Sequence, residues 1–401
     1  MNSSKTLLII GGGIVGISIA REAALRRYFK RITIIEKEKE LGLHASSRNS
    51  GVIHAGFYYA PNTSKALFCS EANNLLRNYC IEKNVEVKKS GKVVVCNDKN
   101  DVKIIDELYQ RGINNSAKIF LFKEGKLSNY EPLALTREQF IWSPNTWSAN
   151  PRNLIKVIKK ELIELNVKIV LNRKIVSQRK NTLIDSENNK YHYDFLINAA
   201  GAHSLKIAQL FNIENDFALL PFRGMYLKSK KKVNSFKRHI YPVPDIRQPF
   251  LGIHTTLSSD GYLKLGPTAI PVLSPENYNN FSGIDLDYLP NILINQTKLF
   301  LNNSFGYRDL AFRELKNLRK KNIIASAQKL TKLKLFESDF EWYSPGIRAQ
   351  LFNKKSGKLA MDFVNIKNSN QYHILNSISP AWTCSFKTAD FVVNDILGLI
   401  K

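Results

Sequence analysis

Gly11, Gly13 and Gly16 fall in "GGGIVG" on a GxGxxG spacing, and Glu36 stands twenty residues after the third glycine. Those types at those intervals describe one chemistry. The first glycine permits a tight turn, the second lets backbone N–H groups approach a pyrophosphate, and the third lets a helix pack close to its strand. The helix N-terminus favours the phosphate charge, and the later carboxylate holds a ribose hydroxyl. A carboxylate there would repel a 2′-phosphate, which argues against NADP. A second concentration of chemistry is "SSRNSGVIHAGFYY", residues 46–59, with Arg48, His54, Tyr58 and Tyr59 around two glycines. It has neither helical nor strand periodicity and reads badly as scaffold.

The elements around the glycines fit the dinucleotide reading. Residues 5–10 form a short apolar run expected to be a buried parallel strand, "ISIAREAALRRY" has helical character, and "RITIIE" is a second strand ending in the acid. Further on, "NPRNLIKVIKKELIEL" predicts a helix with an Asn150 cap and Pro151 in its first turn, leading into "VKIVL". "YDFLINAAGAHS" predicts another buried strand closed by a small-residue turn. The segments around "KSGKVVVC" and from residue 220 to 336 are different, with strand-like alternation in "GYLKLGP" and no second nucleotide fingerprint. The expectation is an α/β chain: a Rossmann-like domain from residues 1–85, 145–219 and 337–401, interleaved with an α+β domain from 86–144 and 220–336.

Length and composition bound the rest. A chain of 401 residues, 44% hydrophobic and 23% charged, suits a globular protein of two domains. Four cysteines make no CxxC and no metal-ligand spacing; they read as free thiols in a reducing cytoplasm, with no metal expected. The net charge of +25 has two readings, a Lys-rich composition bias or attraction to an anionic membrane face, an acidic substrate or nucleic acid. It clusters in "KSKKKVNSFKR" and "RELKNLRKK" without an aromatic-interleaved nucleic-acid module, so nucleic acid is not the expected partner. The apolar run at residues 7–20 is too short to span a bilayer, which takes about 20 residues, and its glycines serve another purpose. Secretion is excluded on this reading; the expected location is cytoplasmic, with peripheral attachment to the inner membrane face as the basic runs' functional alternative.

Taken in order, "GGGIVG", "EKEKELGLHASSRNSGVIHAGFYYAP", "EPLAL", "NAAG", "LPFRGMY", "YPVPD", "PFLGIHTT", "LGP", "GIRAQ" and "SPAWT" span residues 11–383. With them the chain resembles the D-amino-acid-oxidase-like FAD oxidoreductases, and within these the L-2-hydroxyglutarate oxidase/dehydrogenase family. The resemblance implies non-covalent FAD, oxidation of a small 2-hydroxy acid to the 2-oxo acid, and oxygen or a quinone as electron acceptor. An amine or amino-acid oxidase of the same superfamily is the alternative. "SPNTWSANP" and the bulky Trp382 and Phe386 depart from the family pattern and bear on the substrate more than on the cofactor.

Several site residues follow from the likeness. Ala200 and Gly201 of "NAAG", Gly346 of "GIRAQ" and Thr383 of "SPAWT" are expected at the cofactor, with the last opening a helix toward the flavin ring. His44 and Arg48 are expected to hold flavin or its phosphates. An alcohol loses hydride more readily with a base to take its proton, and histidine is the usual base at neutral pH. His54 is therefore the leading base and His254 of "LGIHTT" the second candidate. Arg348 is expected to clamp the carboxylate, since a guanidinium matches it bidentately. Tyr58, Tyr59 and Arg223 are expected to line the substrate site.

Overall fold

The computed structural model of the protein describes residues 4–213, 216–245, 250–279 and 282–400. The chain divides into two units, residues 1–48, 151–221 and 348–401, and residues 49–150 and 222–347.

The first unit is built on β1 (Thr6–Ile10), α1 (Ile14–Leu25) and β2 (Arg31–Ile35). β1 pairs in parallel with β2 and with strand Phe195–Asn198, in register Leu8 with Leu196 and Ile9 with Ile34. The sheet continues in parallel to Gln371–Asn376 beyond Phe195–Asn198 and to Lys168–Val170 beyond β2. Parallel strands covered on their faces read as unbroken apolar runs, and TLLII and RITII are such runs. α1 is buried almost all round, from Ile14 to Ala20 and at Ala23, because it packs against both Pro151–Glu164 and the last helix, Ala381–Ile400.

The second unit is organised by a sheet that includes, in order, Tyr262–Gly266, His254–Leu257, His239–Pro242, Lys92–Val95, Gln139–Ser143 and Phe120–Lys123. Lys92–Val95 runs parallel to His239–Pro242, with Lys92 opposite His239, and antiparallel to Gln139–Ser143. Strand alternation sorts its residues. Val93 and Val95 join a core with Leu227, Leu265 and Phe340, while Val94 faces the other way, toward Phe57, Ile141 and Tyr241. Lys92 has the parity of Val94.

The division differs from the sequence boundaries. Residues 49–85, 145–150 and 337–347 belong to the second unit rather than to the nucleotide domain, and 220–221 to the first. Strand Val52–Ile53 and strand Val87–Lys88 both pair with Trp147–Ala149, so the segment after the first βαβ unit is tied to partners 60 or more residues away. Residues 46–59, which read as one stretch, are split between the units after Arg48.

Candidate active site

In the first unit the glycine pattern forms a tight cradle. Gly11 sits at φ +107°, and a Cβ there would lie 2.5 Å from the Ala199 carbonyl oxygen, so both backbone conformation and space demand glycine. A Cβ on Gly16 would collide with the Gly11 carbonyl, which is the close helix–strand approach the third glycine provides. Gly13 caps α1 without a side-chain bond, and the first turn of the helix contains no acid. Its N-terminus is left electropositive.

Glu36 is buried at the end of β2, and its carboxylate accepts the Gly12 N–H at 2.7 Å and the Glu38 N–H at 3.0 Å. Ser46 Oγ accepts the Ile14 N–H at 2.8 Å and so closes the cradle from the far side. Ser46 was not singled out from the sequence. Its position in a polar loop gave no sign that it returns to the first helix.

The remaining residues expected at the cofactor also lie in this unit, apart from Gly346. His44 Nε2 pairs with Glu38 Oε1 at 3.0 Å, and Arg48 Nε donates to the Leu43 carbonyl at 2.9 Å. Burial raises the Glu38 carboxyl, but bonds from Lys37 and His44 outweigh it and hold the group below its usual range. Ala200 and Gly201 form the turn after Phe195–Asn198; buried Asn198 accepts the Ala200 N–H and donates to the Ser204 carbonyl. Thr383 is buried in the first turn of Ala381–Ile400. Beside it in sequence, Trp382 Nε1 is a buried donor with no hydrogen-bond partner among the described residues. Gly346 lies within the long strand Phe340–Asn353, on the part assigned to the second unit.

Arg348 stands on that strand, on the part assigned to the first unit. Its Nε and Nη2 both donate to Gln350 Oε1, at 3.2 and 3.1 Å. Gln350 is fully buried and donates in turn to the Ala360 carbonyl at 2.6 Å. Two nitrogens of the fork thus meet the neutral Gln350 oxygen, which orients the guanidinium.

In the second unit the structure brings together His54, Tyr58 and His254, and adds Lys92, Tyr241 and His239. The loop carrying His54 is held from both ends. Asn73, buried on helix Ser64–Glu82, donates to the carbonyls of His54 at 3.0 Å and Asn145 at 2.9 Å. Asn115 donates to the carbonyls of Gly56 at 3.1 Å and Tyr59 at 2.9 Å. Neither asparagine was visible as a site residue, because each acts on a carbonyl remote in sequence.

Burial, with the Lys92 charge adding to it, lowers the His54 pKa to about 3. Its ring is neutral at pH 7. His254 is likewise brought down to about 3, chiefly by burial. It stacks on Tyr241 with ring centroids 3.7 Å apart, and its Nδ1 lies 2.9 Å from the Gly252 carbonyl, which fixes a proton on Nδ1 and leaves Nε2 as acceptor. His239 is a scaffold residue instead: its Nδ1 accepts the Leu257 N–H at 3.0 Å, so Nε2 donates to Ser90 Oγ at 2.7 Å.

Tyr59 faces a different neighbour, with the Lys65 ammonium 5.9 Å from its ring. Arg223 is buried on Phe217–Lys232 and donates to the Tyr278 carbonyl at 3.3 Å; burial lowers its pKa.

The pattern model of the FAD-dependent oxidoreductases, the DAO family, matches residues 6–312. The chain belongs to that family. Curated relatives match it nearly end to end. It is 32% identical to the mitochondrial L-2-hydroxyglutarate dehydrogenase of Caenorhabditis briggsae, over 98% of this chain and 94% of the relative. It is 32% identical to the L-2-hydroxyglutarate dehydrogenase of Indibacter alkaliphilus, over 94% and 95%, and 30% to the human mitochondrial enzyme, over 98% and 89%. Among solved structures, the fold is similar to that of L-α-glycerophosphate oxidase from Mycoplasma pneumoniae, with a TM-score of 0.74 and 20% identity over 99% of this chain and 95% of that one. Glycine oxidase from Geobacillus kaustophilus gives 0.71 and 13% identity over 98% and 95%.

This member of the family is an FAD-dependent oxidoreductase, and its residues fit the cofactor. The Gly11–Gly16 cradle at the open end of α1 suits the pyrophosphate, Glu36 the adenosine ribose, and the orphaned Trp382 indole N–H an acceptor atom of the cofactor.

Proposed function

We propose that the chain oxidises a small 2-hydroxy acid, L-2-hydroxyglutarate, to the corresponding 2-oxo acid. The observation that carries this reading is His54, set in one cluster with Lys92, Tyr58 and His254, in a chain that matches L-2-hydroxyglutarate dehydrogenases over almost its whole length. Bound FAD supplies the acceptor for the C2 hydride. His54 takes the hydroxyl proton, for which a neutral imidazole is required. An amine donor has its own neutral nitrogen and needs no such base, so the histidine favours alcohol over amine chemistry. His254, with its acceptor nitrogen fixed, is the second group able to hold the hydroxyl. Arg348 is assigned the C2 carboxylate, and Tyr58, Tyr59 and Arg223 the remaining substrate contacts. His44, Arg48, Ala200, Gly201, Gly346 and Thr383 are assigned to the cofactor.

The test is anaerobic mixing of the flavin-loaded protein with a panel of 2-hydroxy and 2-amino acids while flavin absorbance is followed. Bleaching by L-2-hydroxyglutarate with formation of the 2-oxo acid supports the reading. Bleaching by amino acids alone, with release of ammonia, replaces it by amine oxidation.

We further propose peripheral attachment to an anionic membrane face. Helices Leu289–Leu301 and Tyr307–Lys316 expose Leu301 at 71%, Phe312 at 56% and Leu315 at 54%, on a segment that also carries Arg308, Arg313 and Lys316. Among the described residues no helix is long and apolar enough to cross a membrane.

A further inference from the structure

A lysine in a strand ordinarily carries its ammonium to water along a flexible stem. Lys92 does not. It opens Lys92–Val95, all four of whose residues are buried, and its own exposure is 0%. Its ammonium lies 4.5 Å from the ring centroid of Phe57, 4.4 Å from that of Tyr58 and 4.6 Å from that of Tyr241. Aromatic faces attract a cation, but they offer no lone pair to its three N–H donors. Among the described residues Nζ has no hydrogen-bond partner, and neither does the buried hydroxyl of Tyr58.

Buried polar groups in folded proteins are almost always hydrogen-bonded, so two orphaned donors on adjoining side chains ask for an acceptor. The acceptor must bring several lone pairs and, facing an ammonium, negative charge. A carboxylate has both. The location narrows its source: Tyr58 lies four residues after His54, and the Lys92 charge is felt by His54 and His254.

We propose that Lys92, with the Tyr58 hydroxyl, is a substrate-binding pair that receives a carboxylate of the 2-hydroxy acid. This rests on the functional reading above. It adds a residue that the strand pattern "GKVVV" conceals, and it links binding to proton removal. Burial brings the Lys92 pKa down to about 7, with Cys69 acting slightly the other way. An arriving carboxylate restores the ammonium and screens its charge from His54, so the base strengthens when substrate is present.

The experiment uses the flavin-loaded protein with glutarate and butyrate, which lack the reacting hydroxyl. Binding is read from perturbation of the flavin spectrum and from the rise in melting temperature. Lys92→Met should weaken glutarate binding about 30-fold or more, and Tyr58→Phe by a smaller factor. A loss confined to glutarate places the contact at the carboxylate remote from C2; a loss with both acids places it at the C2 carboxylate. Lys92→Met protein with wild-type FAD content and melting temperature that binds both acids normally overturns the proposal. A second measurement needs no variant. Wild-type affinity for glutarate should fall as pH rises from 7 to 9, because the ammonium is lost while the facing histidines 54, 239 and 254 stay neutral and burial keeps Tyr58 and Tyr241 protonated. An affinity that does not change over that range also overturns it. If wild type binds glutarate with this behaviour yet oxidises no 2-hydroxy acid, the functional reading fails and the Lys92 contact stands.

Discussion

Replacing His54 tests the chemistry most directly. Burial and the neighbouring Lys92 charge take its pKa from the ordinary 6.5 to about 3, which makes protonation inside the fold about 5 kcal/mol harder than in water at about 1.36 kcal/mol per pH unit. The ring is therefore already in the form a base needs. His54→Ala should slow anaerobic flavin reduction by roughly 10²–10⁴-fold, which corresponds to about 2.7–5.5 kcal/mol of barrier, while FAD remains bound. The pH profile carries the sharper signature. An exposed histidine base would lose activity as pH falls through about 6.5; this one should keep reduction of the free enzyme level down to about pH 5. Stability has the opposite sensitivity. The unfolded chain takes up the His54 proton near 6.5 and the folded chain only near 3, so the folded state loses stability as pH falls below 6.5, by about 2 kcal/mol at pH 5 from this residue. His239 and His254 are lowered in the same direction and steepen the loss. The assay is stopped-flow reduction from pH 5 to 9, with FAD content and melting temperature measured on the same preparations. A wild-type rate in His54→Ala alongside a slow His254→Ala would reverse the roles assigned to the two rings. An acid limb centred near 6.5 would refute the buried neutral base.

Other substitutions separate positioning from chemistry. Arg348→Lys keeps the charge but loses the planar fork that Gln350 orients, so substrate affinity and reduction rate should both fall, and Arg348→Ala should cost on the order of 2–5 kcal/mol in transition-state stabilisation. Normal kinetics in stable, flavin-loaded Arg348→Ala protein would remove it from the site. Glu36→Ala leaves the Gly12 and Glu38 amides without their carboxylate and should lower FAD content after gel filtration; full retention of FAD would show the cradle holds without it. Asn73→Ala frees the carbonyls of His54 and Asn145 and should reduce kcat/KM about tenfold with FAD content unchanged, an effect absent if the loop is held by other contacts alone. Binding to anionic vesicles should exceed binding to neutral ones at low salt and vanish near about 0.5 M, where screening is short-ranged; equal binding to both would reject membrane attachment.

The nucleotide half was legible in the sequence because its determinants are local. A parallel strand, a glycine turn and the start of a helix lie within residues 6–25, and Glu36 follows after one more strand, so a single βαβ interval fixes backbone conformation, close approach and charge together. The second unit was legible only in part. His54 stood out for its company of glycines and tyrosines, yet nothing in the sequence separated its environment from that of His254, or either from the scaffold role of His239. Those differences come from strand pairing: Lys92 meets His239 across a parallel ladder, and His254 meets Tyr241 through ring stacking. Lys92 itself is the clearest case. In sequence it is one of many lysines before an apolar run; only Tyr241 from the paired strand and Phe57 and Tyr58 from the loop after Val52–Ile53 bury it and surround it with three rings. Asn73 and Asn115 reach carbonyls 19 and 59 residues away, and Ser46 returns to a helix 32 residues earlier. Sequence specifies a side chain's chemistry and its local backbone, whereas burial, hydrogen-bond partners and the resulting protonation state belong to contacts that exist only once distant segments have packed.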